Sequence, residues 1–315
     1  MSKDATASAD PNVKIAASPI NWHNDDFPIL GALTSVDEIL AGMQQAGFAG
    51  TELGSLFPST AGEVLPILEH YELELAGGWF SAYLLTRDFK SERTRFTEFV
   101  KFLEQTGAKI CTTAEASYCP FKPYPPSRYG QHFKSLSVPL FPYQLPTLKP
   151  EQWSTLGKQF DELTAIAAEH NILLGYHPHM QTVVQTAEHL AALAAASSQL
   201  HFTIDSGHLR FAGADPAKIL EKYIDRTVHL HVKNVRDRVT QAAQSAPMSF
   251  EFAVVEGAFT VPGDGGIDFG PIFDVLKRHR YKGWLVVEAE QNPLTSDPVL
   301  YATLAREYIR GVAGW

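Results

Sequence analysis

Residues 227–233 read TVHLHVK. Side chains on a strand alternate between its faces, so Thr227, His229, His231 and Lys233 share one side while Val228, Leu230 and Val232 share the other. A strand buried in a parallel sheet is normally apolar on both faces, and this one is polar on one. The asymmetry returns in residues 284–290, WLVVEAE, where Glu288 and Glu290 oppose Leu285, Val287 and Ala289. Residues 201–208, HFTIDSGH, set Thr203 and Asp205 in the same phase, and residues 172–180, ILLGYHPHM, end an apolar run on His177 and His179. Four strands that deliver imidazole and carboxylate at their ends describe a parallel barrel whose interior turns polar at one mouth.

Working outward, short β-rich runs alternate with longer amphipathic stretches along the whole chain, the pattern of repeated βα units. Eight strands are expected, near residues 13–18, 50–53, 74–78, 109–114, 172–176, 201–204, 227–231 and 284–288. Helices are expected over 35–46, 92–106, 151–170, 186–195, 271–279 and 298–312. The fold class is therefore α/β, a single (β/α)8 TIM barrel over residues 13–315, preceded by a small, polar, disordered tail over residues 1–12. No linker or composition break divides the 315 residues. Two connections exceed what a barrel needs, residues 117–150 and 234–268; both follow strand C-termini, which places them over the catalytic face as a roof.

Composition narrows the partners. A formal net charge of −9 disfavours nucleic acid and anionic membranes, and no apolar run approaches the roughly 20 residues that cross a bilayer. A small-molecule partner and a cytoplasmic location are expected, while a homo-oligomer is left open. Cys111 and Cys119, the only cysteines, are too few for a disulfide framework and read as reduced thiols, with Cys111 in or near the core. There is no GxGxxG, P-loop or GxSxG motif, and VPGDGG at 261–266 reads as a turn.

Several imidazoles and carboxylates buried together are costly unless a cation joins them. Mixed nitrogen and oxygen donors suit Mn, Co, Zn or Fe better than calcium. The expected ligands are His177, Asp205, His231 and Glu288, with His179 the competitor for His177. His229 is expected one layer lower as a hydrogen-bonded core residue, and His201 at the wrong end of its strand. Lys233 and His208 are candidates for proton transfer, with a salt bridge or a solvated position as the competing reading of Lys233. Glu52 and Glu115 end the second and fourth strands and are candidates for substrate hydroxyls, with capping or loop ion pairs as their alternative. Asn21, Trp22 and Trp79 follow the first and third strands and could wall a sugar-like ring, with core packing as the default.

The pattern resembles the xylose isomerase-like TIM barrel superfamily of sugar isomerases, epimerases and dehydratases, and within it the inosose dehydratase family. The segments that carry the likeness are SPINWHNDDFPILG (18–31), GTELGSLFP (50–58), LAGGWFSAYL (75–84), GYHPHMQTVVQT (175–186), IDSGHLRFAGADP (204–216), VHLHVKNVRD (228–237), FTVPGDGGIDF (259–269) and GWLVVEAEQNP (283–293). The resemblance implies loss of water from a keto-inositol with Mn or Co, the metal held at His177, Asp205, His231 and Glu288. Many superfamily members carry Glu at the first of these positions. Gln181 and Asn234 depart from the expected HMGT and VKDVR, which bears on substrate identity more than on metal binding. An enolate formed beside a ketone serves elimination, with Lys233, His208 and Glu290 as the proton-transfer set, and it serves isomerisation or epimerisation equally. A DNA repair endonuclease and a non-catalytic polyol-binding protein are further alternatives; the acidic balance counts against the first and the intact ligand set against the second.

Overall fold

The computed structural model describes residues 13–119, 145–246 and 248–315. The described strands are β1 (Val13–Ala17), β2 (Gly50–Glu52), β3 (Glu74–Ala82), β4 (Ile110–Glu115), β5 (Leu173–Tyr176), β6 (His201–Asp205), β7 (Thr227–Val232), β8 (Asn234–Val235), β9 (Phe259–Thr260) and β10 (Gly283–Val287). Eight of them close into a parallel barrel in the order β1-β10-β7-β6-β5-β4-β3-β2, while β8 and β9 form an antiparallel pair. The expected tail over 1–12, and most of the long connection after β4, lie outside the described residues.

Helices fill the connections: α1 (Val36–Gln45), α2 (Ala61–His70), α3 (Phe89–Thr106), α4 (Pro150–Glu169), α5 (Ala187–Ala196) and α6 (Ser206–Phe211) in the first part. They continue as α7 (Pro216–Tyr223), α8 (Asp237–Ser245), α9 (Phe250–Val255), α10 (Gly270–Arg278) and α11 (Pro298–Ala313). Five of these were not expected from periodicity. α2 is concealed by Pro66, which the helix tolerates on its exposed face; α6 to α9 are six to nine residues long, too short for a 3.6-residue period to stand out. Local signals place several of the ends. Ser35 and Glu38 make a capping box on α1, and Asp88 caps α3 by accepting the Ser91 N–H at 2.9 Å. Among the described residues no helix is long and apolar enough to cross a membrane.

Strand parity has the expected sense. Leu230, Val232, Leu285, Val287 and Ala289 join the apolar layer between barrel and helices, each buried leucine or valine contributing roughly 1.5–3 kcal/mol. Inside the barrel, Ala16, Ala76 and Val286 pack on Trp284 near the strand starts, and Thr112 meets Thr203 at 3.2 Å. The register then sets Asp205 opposite His231, and His231 opposite Val286. Glu288, two residues beyond Val286, therefore stands one inward-facing layer further toward the mouth.

Candidate active site

Asp205 is built by two elements at once. It ends β6 and caps α6, its Oδ1 accepting the His208 N–H at 2.7 Å. That leaves Oδ2 to face the barrel axis, 3.5 Å from His177 Nε2, 3.7 Å from His231 Nδ1 and 3.5 Å from Lys233 Nζ. His231 Nδ1 also lies 2.9 Å from Glu288 Oε2, while its Nε2 is 3.1 Å from Glu52 Oε1. His229, one layer lower as expected, reaches the same Glu52 oxygen at 2.9 Å.

These contacts explain the charge states. Burial opposes ionisation of Glu52, yet the charge on His231 and hydrogen bonds from His229 and His231 hold its carboxyl at about 2. Glu288 is likewise held well below the usual carboxylate range by His231 and Lys233 against the cost of burial. Asp205 is lowered by Lys233, His208 and His177, again against burial. Burial pulls His231 downward, but Glu288 and Glu52 outweigh it and raise the imidazole well above its ordinary value.

Lys233, which the sequence left open between a salt bridge and a functional role, is completely buried in the mouth. Its Nζ lies 2.6 Å from Glu288 Oε1, 2.7 Å from Glu290 Oε1 and 3.1 Å from His208 Nε2, and 4.8 Å above the Phe259 ring. Burial alone would discharge the amine; Asp205, Glu288 and Glu290 reverse this and raise it above its usual range. His208 goes the other way, pushed well below its ordinary value by burial and by the Lys233 charge. Its Nδ1 accepts the Met180 N–H at 3.2 Å, so the proton of the neutral ring belongs on Nε2, which faces Glu290 Oε1 at 3.2 Å.

The donor set fits a cation. Among the described residues His177 makes no hydrogen bond through either ring nitrogen, and Asp205 Oδ2 and His231 Nδ1 make none. Buried polar atoms without a hydrogen bond are rare, and of these His177 Nε2, Asp205 Oδ2 and His231 Nδ1, held only by ion-pair contacts, converge on one spot. Candidate ligand atoms of His177, Asp205, His208 and Glu288 lie within 4.8 Å of one another, with His231 Nδ1 beside two of them. Glu52, Asp205, Glu288 and Glu290 are four buried carboxylates. Against them stand Lys233 and the protonated His231, a deficit of positive charge that a divalent ion would reduce as it displaces the His231 proton. Glu52 beneath His231 supplies the carboxylate that commonly orients a metal-binding imidazole.

Of the two histidines after β5, His177 reaches Asp205. His179 sits further out, its ring centroid 4.1 Å from that of His208 and its Nδ1 2.6 Å from the Met180 carbonyl. A cavity of about 660 Å³ opens above, walled in part by Glu52, Trp79, His179, His231 and Glu288. Asn21, Trp22 and Glu115, the substrate candidates whose competing readings were core packing or a capping role, are not on that wall. Trp22 is buried against α1, where Gly42 leaves room for its indole: a Cβ there would stand 2.9 Å from Trp22 Nε1. Glu115 has the outward phase of β4 and accepts the Leu84 N–H at 2.7 Å and the Ser117 N–H at 2.8 Å, with burial pushing its carboxyl up to about 7. Asn21 binds backbone of β10 and the residues after it. Of the two connections expected to roof the site, residues 234–268 bring Phe250 and Phe259 to 5.7 and 5.2 Å from the His208 ring, while residues 120–144 of the other lie outside the described residues.

Reading residues singly missed Ser206, whose hydroxyl donates to the Lys233 carbonyl at 2.7 Å, and Gly207, which passes close beneath Lys233. The SGH run directly after Asp205 was the available signal. A Cβ on Gly207 would stand 2.5 Å from Lys233 Cγ and 2.7 Å from Cδ. Gly207→Ala is therefore expected to shift the Lys233 ammonium and lower turnover by about 10²-fold, as misplacement on the scale of 1 Å does. Steady-state kinetics beside a thermal melt checks this; kcat within about threefold of wild type would show that the glycine does not govern the lysine.

A closed parallel barrel with such a polar mouth defines the xylose isomerase-like class, and the sequence profile of the xylose isomerase-like TIM barrel family matches residues 43–310. Within that class the chain belongs to the inosose dehydratase family. It is 38% identical over 301 residues to an inosose dehydratase of Clostridium perfringens, covering 95% of this chain and 97% of the relative. It is also 38% identical to the rhizopine catabolism protein MocC of Rhizobium meliloti, covering 96% of this chain and 89% of that protein. Among solved structures, that of the IOLI protein with a bound zinc atom superposes with a TM-score of 0.66 at 14% identity, covering 96% of this chain and 98% of that one.

Proposed function

We propose that this protein is a divalent-metal-dependent hydro-lyase that removes water from a keto-inositol, such as 2-keto-myo-inositol, in inositol catabolism. The observation that carries the reading is full-length identity to inosose dehydratases, 38% over 301 residues, joined to a mouth where buried carboxylates and imidazoles converge. His177, Asp205, His231 and Glu288 are the residues assigned to hold the ion, Mn or Co by preference, with Zn or Fe as alternatives. Bound there, it supplies Lewis acidity toward the ketone oxygen.

The chain's own groups handle the protons. Beside the ketone the α-carbon loses its hydrogen, the neighbouring C–O bond breaks, and the hydroxyl leaves as water after gaining a proton. Because the α-carbon itself carries a hydroxyl, the product is an enol that tautomerises to a dione. The buried Lys233 ammonium is the donor side of this transfer and Glu290, 2.7 Å from it, the acceptor side, with neutral His208 donating its Nε2 proton toward Glu290 at 3.2 Å and so completing the proton-transfer set. Glu52, Trp79 and His179, on the cavity wall, orient substrate hydroxyls and the ring. Water has little access below them, since Lys233, His208 and Glu290 are completely buried.

Stripping metal with a chelator should lower turnover of a keto-inositol by at least about 10²-fold, and Mn(II) or Co(II) should restore it. The product should weigh one water less than the substrate and absorb in the near ultraviolet. Full activity in protein shown by elemental analysis to lack metal would refute the metal dependence. A product of unchanged mass that carries solvent deuterium would replace the dehydratase by an isomerase or epimerase.

A further inference from the structure

Asn21 lies buried on the short 3-10 turn that follows β1. Its Nδ2 donates to the Val287 carbonyl at 3.0 Å, and its Oδ1 accepts the Ala289 N–H at 2.5 Å. Those two backbone groups flank Glu288. The paired register of β1 and β10 ends where Ala17 meets Val287; the Ser18 N–H still donates to the Val287 carbonyl at 2.9 Å, and among the described residues the Ala289 N–H beyond it has no backbone acceptor on the β1 side. A carboxamide carries the same donor and acceptor pair as a peptide unit: Asn21 Oδ1 takes the place of the next backbone acceptor of the ladder, and Nδ2 adds a second donor to the Val287 carbonyl beside the Ser18 N–H. Only one orientation of the amide satisfies both partners, which also settles which atom is nitrogen.

We propose that Asn21 is a positioning residue: by clamping the backbone on both sides of Glu288 it aims that carboxylate at His231 Nδ1 and Lys233 Nζ, 2.9 and 2.6 Å away, and so sets the affinity of the metal centre. The inference rests on the reading of Glu288 as a metal ligand. Neither near relative of the residue would serve. A carboxylate at this position cannot donate to the Val287 carbonyl, and a leucine can neither donate nor accept.

The test is a Mn(II) titration of wild type, Asn21→Ala, Asn21→Asp and Asn24→Ala, with Co(II) visible spectra and thermal melts of the metal-free proteins. Asn24 is the control for loop damage: buried in the same segment, its Oδ1 accepts the Asp26 and Phe27 N–H groups at 2.9 and 2.8 Å, and neither flanks Glu288. Both Asn21 variants should weaken Mn(II) by roughly 10–100-fold, the usual effect of losing an outer partner of a ligand, and alter the Co(II) spectrum. Asn24→Ala should lower the melting temperature yet leave affinity within about threefold and the spectrum unchanged. If Asn21→Ala does not fold, Asn21→Asp, which keeps the acceptor for Ala289, carries the comparison. Wild-type affinity and spectrum in a folded Asn21 variant, or an equal loss in Asn24→Ala, would overturn the proposal. Wild type that takes up neither metal would overturn the metal centre itself, a failure visible before any variant is made.

Discussion

Lys233→Met should lower kcat by about 10²–10⁴-fold, the range spanned by a positioned proton donor. Methionine keeps much of the volume and removes only the charge and its donors. The loss is larger than a surface lysine would give because this ammonium is completely buried and faces Glu288, Glu290 and Asp205 at 2.6, 2.7 and 3.5 Å. Removing one partner of such a cluster strands the others, so a stability loss of roughly 3–5 kcal/mol is expected alongside. Kinetics therefore has to be normalised to folded, metal-loaded protein. Lys233→Arg is not expected to rescue, since a planar guanidinium cannot meet three acceptors and His208 in the space of an ammonium. A folded Lys233→Met enzyme with kcat within tenfold of wild type would remove the lysine from the proton-transfer set.

The second large effect is expected at Asp205. Its two oxygens do different work, Oδ1 capping α6 through the His208 N–H and Oδ2 facing the barrel axis. Asn in its place retains the cap with its carbonyl oxygen and turns an amide nitrogen toward the site, where it cannot ligate. Asp205→Asn should thus fold with stability close to wild type while metal affinity falls by about 10²-fold or more, taking turnover with it. His231→Ala should lose metal to the same extent, but with a stability cost as well, since Glu52 and Glu288 each lose a buried partner. His229→Ala, a layer below, should cost about 1–3 kcal/mol of stability by leaving a buried Glu52 oxygen short of a partner, and reach the metal only through Glu52. Equilibrium dialysis with elemental analysis separates these. Full metal content in His231→Ala combined with loss in His229→Ala would move the centre one layer deeper.

Much of this site is legible in the sequence, for a physical reason visible in β7 and β10. Alternation along a strand is strictly local, so VHLHVK and LVVEAE declare which residues look inward, and equal spacing from the strand ends declares their height. His177, Asp205, His231, Glu288, Lys233, His208 and Glu290 meet at one mouth accordingly. The connections were harder. Asn21 and Trp22 were candidates for the substrate wall with core packing as their default, because the path of a side chain beyond a strand end depends on what distant segments leave open. For Trp22 that is the gap at Gly42 on α1; for Asn21 it is the Ala289 N–H left beyond the β1–β10 ladder, together with the Val287 carbonyl 266 residues away. Glu115 was ambiguous because β4 carries small or polar residues in both phases, and only the Thr112–Thr203 contact across the interior shows which phase is inward.

The sequence by itself therefore determined the barrel, its polar mouth and the identities of the groups there, because periodicity and residue chemistry are properties of short stretches. Tertiary structure alone decided who partners whom. It made Glu52 the shared carboxylate of His229 and His231, buried Lys233 among three acids, and turned Asn21 toward the backbone of β10, since hydrogen bonds between segments far apart in the chain exist only once the barrel has closed.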